Sequence, residues 1–244
     1  MKKIFIILLF VIGSTNAKDK SLKAFFDHSL FNKLLSENVN TAGMIHYKAF
    51  MKSENFEKYL TSLTNADIKN LHKDAKLAFF INAYNAFVIK NVIDHWGILS
   101  PMDVKGFFDK IKFNLAGENL TLNEIEYERT LKIEPALSHF GLVCGAMSCP
   151  KLLPKAYSGK TVIAQLEKNG KDFLSDPYKN RLDKLNKVLY LSSIFKWFNN
   201  LFEKRYGSLV NTAKHFASDE NRKFLENNKI EIKFLLYNWK LNKQ

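Results

Sequence analysis

Ala75-Lys-Leu-Ala-Phe-Phe-Ile-Asn-Ala-Tyr-Asn-Ala-Phe-Val-Ile-Lys-Asn-Val-Ile-Asp-His95 is the strongest helical pattern of the chain. Leu77, Phe79, Phe80, Ile81, Ala83, Tyr84, Phe87, Val88, Ile89, Val92 and Ile93 cover nearly its whole circumference. A helix apolar all round is buried all round, so this stretch is expected at the centre of the fold. Trp96-Gly97 ends it, and Pro101 opens a looser region. Asn82 and Asn85 are set into the apolar run three residues apart, hence on one face. A buried amide must find hydrogen-bond partners or cost about 2 kcal/mol or more. Two uses are open for them. They hold backbone groups of a neighbouring loop, or, with Tyr84, they look into a pocket and orient a side chain there.

On either side of this helix the periodicity changes repeatedly. Helical spacing is read over residues 22–35, 56–63, 160–174 and 194–202, the last capped by Ser192 or Ser193. The Trp and Phe residues of 194–202 are read as core. Residues 44–47, 188–191 and 230–236 read as strands, with Ile230, Ile232, Phe234 and Leu236 on one face. His46 is expected as a satisfied structural histidine. A hairpin is expected through Ala116-Gly117-Glu118-Asn119, followed by a short helix that Thr121 and Glu124 close as a capping box. Glu126, two residues on, faces another way and is free to reach a pocket. Helices with scattered short strands predict an α+β fold: a mainly helical single domain around a buried central helix, with a small, mostly antiparallel sheet.

At the amino terminus, Lys2 and Lys3 precede an apolar run over residues 4–12, then Gly13-Ser-Thr-Asn-Ala17. Basic start, short apolar middle and small residue make a secretory signal with cleavage after Ala17. Residues 18–244 are then one globular domain, exported to the periplasm or beyond. The run is too short to span a bilayer, which needs about 20 apolar residues. No later stretch is long and apolar enough to be a transmembrane segment. The formal net charge of +13 is mostly lysine scattered along the chain, with no Arg-rich patch, so nucleic-acid binding is not expected.

His139-Phe-Gly-Leu-Val-Cys-Gly-Ala-Met-Ser-Cys-Pro150 holds both cysteines of the chain, Cys144 and Cys149. Residues 140–143 read as a buried strand delivering a thiol to a Gly-containing turn. As a nucleophile, Cys144 (or Cys149) needs a base, for which His139 is the candidate, with Asn82, Asn85 or Glu126 as orienting group. On an extended strand, residues five apart point to opposite faces, so His139 and Cys144 meet only if the chain bends. In an exported protein a structural disulfide is the default for two cysteines. Their spacing is not Cys-x-x-Cys, and a metal set with His139 lacks a fourth ligand. No metal or cofactor is therefore expected.

Several motifs together resemble the domain-of-unknown-function 547 family (DUF547). They are Phe79-Phe-Ile-Asn-Ala-Tyr-Asn-Ala86, Leu122-Asn-Glu-Ile-Glu126, the 139–150 segment, Ile194-Phe-Lys-Trp197 and Tyr237-Asn-Trp-Lys-Leu-Asn242. The resemblance extends in this order over nearly the whole mature chain. It departs at Tyr127, where the family often has histidine, and it implies that Cys144, rather than Cys149 or His139, is the shared group. It implies no established activity. The expected function is an exported binding or accessory module acting on a cell-envelope component or peptide. The alternative is a cysteine-dependent hydrolase or acyltransferase of papain- or transglutaminase-like chemistry.

Overall fold

A computed structural model describes residues 25–244. The export signal read from residues 1–17, and Leu22 of the first helical pattern, lie outside the described residues. At the centre is α4 (Lys73–Asp94), in which every residue from Leu77 to Ile89 is buried. Helices α1 (Ser29–Asn38), α2 (Tyr47–Met51) and α3 (Glu54–Thr64) precede it. Phe31 of α1 stacks on Tyr59 of α3, ring centres 4.8 Å apart. His95 caps α4, and Gly97 then turns the chain with φ +109°.

The hairpin β1 (Lys112–Leu115) and β2 (Glu118–Thr121) follows, antiparallel. Its two-residue turn, Ala116-Gly117, has positive φ at both positions, which gives the twist a tight hairpin requires. Thr121 then caps α5 (Leu122–Ile125): its hydroxyl accepts from the Glu124 amide, while the Glu124 carboxylate accepts from Thr121 N–H. One widened turn of π-helix, Glu126–Thr130, leads to α6 (Leu131–Ile133). Beyond the 139–150 segment come α7 (Val162–Leu174) and the strands β3 (Arg181–Asp183) and β4 (Val188–Leu191). Four helices, α8 (Ser193–Trp197), α9 (Asn199–Tyr206), α10 (Leu209–Phe216) and α11 (Asp219–Asn227), cross back to β5 (Glu231–Phe234). That long crossover lets β5 lie parallel to β4, while β3 pairs with β4 antiparallel. The architecture is α+β, and one continuous core runs from Phe31 to Leu241. Among the described residues no helix is long and apolar enough to cross a membrane.

Four local expectations change. Residues 44–47 make only bridges at Ile45, to Val39 and Lys243, before Tyr47 opens α2; His46 is exposed rather than enclosed. The 194–202 helix breaks at Phe198, so Phe195 and Phe202 are core while Trp197 is 48% exposed. The strand at 230–236 stops at Phe234, and Leu236 is 97% exposed, because β5 is the edge of a sheet too small to carry a second covering layer. Residues 140–143 are not a strand. A 3-10 turn, Leu137–Phe140, runs into an irregular segment. Among the described residues no strand pairs with it; Asn85 of α4 bonds Gly141 and Val143, and Asn169 of α7 donates to the Phe140 carbonyl.

Candidate functional site

Asn85 donates to the Gly141 carbonyl (2.9 Å) and accepts from the Val143 amide (2.9 Å). Asn82 does the same one turn earlier, donating to Tyr157 O (2.8 Å) and accepting from Tyr157 N–H (2.9 Å). Each amide thus satisfies one buried donor and one buried acceptor of a loop that has no sheet partner. Both asparagines hold backbone, and neither lines the cavity nearest the cysteines. By fixing residues 141–143, Asn85 sets the direction in which the chain enters Cys144.

Cys144 and Cys149 are joined as a disulfide, with Cα atoms 6.4 Å apart. Gly145 takes φ +84° between them, a left-handed conformation that costs a residue with a Cβ about 1 kcal/mol or more. The carboxy-terminal segment ties this loop down. Asn242 N–H donates to Gly145 O (2.9 Å), Met147 N–H to Lys240 O (2.8 Å), and Asn238 N–H to the Ser148 hydroxyl (2.8 Å). It also brings the Tyr237 hydroxyl to 3.2 Å from Cys144 Sγ and 3.1 Å from Cys149 Sγ.

Beside the disulfide opens a cavity of about 360 Å³. Tyr84, Glu126, His139, Cys144 and Cys149 all line it. The site residues named from sequence therefore fall into two groups, those in the cavity and the two asparagines behind it. Around the cavity stand side chains that the sequence reading did not assign to a site: Phe108, Tyr127, Tyr237 and Trp239, with Asp109, Asn123 and Met102, and Trp197 and Phe198, which it placed in the core. Trp197, Tyr237 and Trp239 form one cluster, with ring centres 4.6 to 6.0 Å apart. The signal for them was present. Trp197 closes one of the quoted motifs, and Tyr237 and Trp239 stand in another.

Glu126 arrives at the cavity through the change of helical pitch. Glu124 is spent on the cap, and the π turn begins at Glu126, whose carbonyl accepts from Leu131 N–H. Such turns recur at functional sites. Burial pushes the Glu126 carboxyl up to about 7, against the opposing effect of a hydrogen bond from the Tyr84 hydroxyl. His139 is 4% exposed, and its ring stacks on Phe198 with centres 3.8 Å apart. Burial lowers its pKa to about 3, so the imidazole is neutral at ordinary pH. Its Nδ1 lies 3.9 Å from Glu126 Oε1. With a neutral ring that proximity is not an ion pair, and the desolvation of the ring decides the matter. The Nε2 atom is buried without a partner. Tyr237 and Tyr84 are held protonated by burial, the charge of Glu126 adding to the effect.

These features define a mainly helical α+β protein with an aromatic-walled cavity lined also by a disulfide and a buried carboxyl group. Residues 68–174 match the model of a family described as "Protein of unknown function, DUF547". Over that stretch, a little under half of the chain, the sequence is similar to the DUF547 family. The match takes in α4, Glu126 and the whole disulfide loop, whereas Trp197, Phe198, Tyr237 and Trp239 lie beyond it. No curated protein and no solved structure matches the chain.

Proposed function

We propose that this chain is an exported binding module of the cell envelope or extracellular space, and that the cavity beside the disulfide holds its ligand. The observation that carries the reading is the cavity itself. It is concave, about 360 Å³ in volume, and walled mostly by aromatic faces around a few polar groups. Ligand sites have that size and composition. Export is supported by the basic, apolar, small-residue order of residues 2–17 and by a disulfide, which suits an oxidising compartment. An envelope component or a peptide end is the class of ligand such a location offers.

Two of the three tryptophans, Trp197 and Trp239, line the cavity, so intrinsic fluorescence reports its occupancy. A library of small soluble fragments, titrated against the protein and against Trp197→Ala, tests the reading. Fragments that shift the emission of the native protein and lose affinity in the variant support it. Fragments that bind both equally place the ligand elsewhere. For the compartment, protein recovered from outside the cytoplasm should begin at Lys18.

A second reading has one observation in its favour: Cys144, Cys149, His139 and Glu126 line the same cavity. In the reduced state Cys144 becomes the nucleophile of a cysteine hydrolase or acyltransferase, with neutral His139 as its base. Asn85 then serves by fixing the backbone that leads to the thiol. Alkylation rate against pH on the reduced protein decides it. A thiol titrating near 8.5 or above leaves no activated nucleophile.

A further inference from the structure

We propose that the cavity takes an organic ammonium group, seated against Glu126 and enclosed by Trp197, Tyr237 and Trp239. The inference rests on the reading of this cavity as a ligand site. Charge is the first argument. The chain carries 37 Lys and Arg against 24 Asp and Glu, yet the cavity is lined by Glu126 and Asp109 and by no lysine or arginine. In a basic protein, a pocket free of basic side chains and furnished with carboxylates selects cations.

The missing counter-charge is the second argument. Among the described residues neither Glu126 nor Asp109 forms a salt bridge with Lys or Arg. The groups facing Glu126 are Tyr84 from α4, its neighbour Tyr127, His139 from the 3-10 turn and Tyr237 from the carboxy-terminal segment. None of them is a cation near neutral pH. An ionised carboxylate in such a place is uncompensated, and a bound ammonium group supplies what the fold omits.

The walls are the third argument. Indole and phenol rings present a negative face, which attracts a cation within about 6 Å of the ring centre, tryptophan most strongly. An anion would meet Glu126 and those same faces, with neutral donors alone, the Asn123 amide, the tyrosine hydroxyls and the indole and imidazole N–H groups, to offset them. A neutral ligand would leave the carboxylate without a partner.

Choline and its neutral isostere 3,3-dimethyl-1-butanol differ in one atom and one charge. Titrated by tryptophan fluorescence at pH 8, choline should bind roughly ten-fold or more tightly than the alcohol. The preference should shrink as pH falls from 8 to 6 and Glu126 takes up a proton. In Glu126→Gln it should fall to about three-fold or less, the part that the aromatic faces and Asp109 still supply, while affinity for the alcohol stays within about two-fold. Asp109→Asn, at the exposed rim, gives a second variant with little risk to folding and should weaken the preference only in part. Equal affinity for the two probes would overturn the ammonium inference and leave the ligand-site reading standing. Failure of both probes also overturns it, and the fragment titration then judges the site separately.

Discussion

Replacing Asn85 by leucine should destabilise the protein without altering a single residue of the cavity. The substitution removes one donor and one acceptor, and strands the Gly141 carbonyl and the Val143 amide in the core. Each stranded group costs about 1–3 kcal/mol, so the pair costs about 2–6 kcal/mol. Leucine returns about 1–2 kcal/mol through its apolar side chain. A net loss of about 2–3 kcal/mol is expected, which at a urea dependence of about 2–3 kcal/mol per molar moves the midpoint down by about 1 M. Equilibrium unfolding followed by circular dichroism measures it. Asn85→Asp is the informative companion. Its carboxylate still accepts from Val143 N–H but now opposes the Gly141 carbonyl, so it should be at least as unstable. If both variants unfold at the native midpoint, the amide makes no bridge to the loop. The account of how residues 141–143 are positioned then fails.

Four further outcomes are expected. Alkylation without reductant should label neither cysteine, and Cys149→Ser should lower stability by about 2 kcal/mol, the loop-closure value for so short a ring; two labelled thiols in the untreated protein would refute the first part. Glu126, held near 7 in the fold against an ordinary 4.5, keeps a proton that the unfolded chain releases. Native stability should therefore fall as pH rises from about 4.5 to about 7, by about 3 kcal/mol at most, and Glu126→Gln should gain on the native protein at pH 8 but not at pH 4.5. His139 acts with the opposite sign: its stability contribution is full above about pH 6.5 and drains away toward about 3, which urea titrations of Glu126→Gln between pH 7 and 4 should isolate. Gly170→Ala should destabilise even though alanine favours helix by about 1 kcal/mol, because the added carbon would stand 2.8 Å from the rings of Phe140 and Phe216. A more stable Gly170→Ala would show that those rings give way.

The central helix could be read from sequence because its burial is written into every position of the pattern. So could the capping box at Thr121 and Glu124, which needs only local bonds. The 139–143 stretch could not. Its apolar run looks like a strand, and what takes the place of a strand partner is the Asn85 amide of α4, more than fifty residues away in sequence. The two asparagines were recognisable as polar groups needing partners, but not the loop they would hold. Trp197 was placed in the core because helical periodicity was continued through Phe198, where the chain bends and turns that ring to the cavity. The cavity's far wall comes from the carboxy-terminal segment, and no local signal announces a contact across 93 residues.

That distance has a temporal side. Tyr237 is synthesised 93 residues after Cys144, on the order of five to twenty seconds later at ordinary elongation rates. Through that interval the two sulfurs have no phenol lying against them. Once the carboxy-terminal segment docks, the Tyr237 hydroxyl lies 3.2 Å and 3.1 Å from the two sulfurs. Both cysteines are therefore in the chain, and able to pair, before the phenol that lies against them has been made.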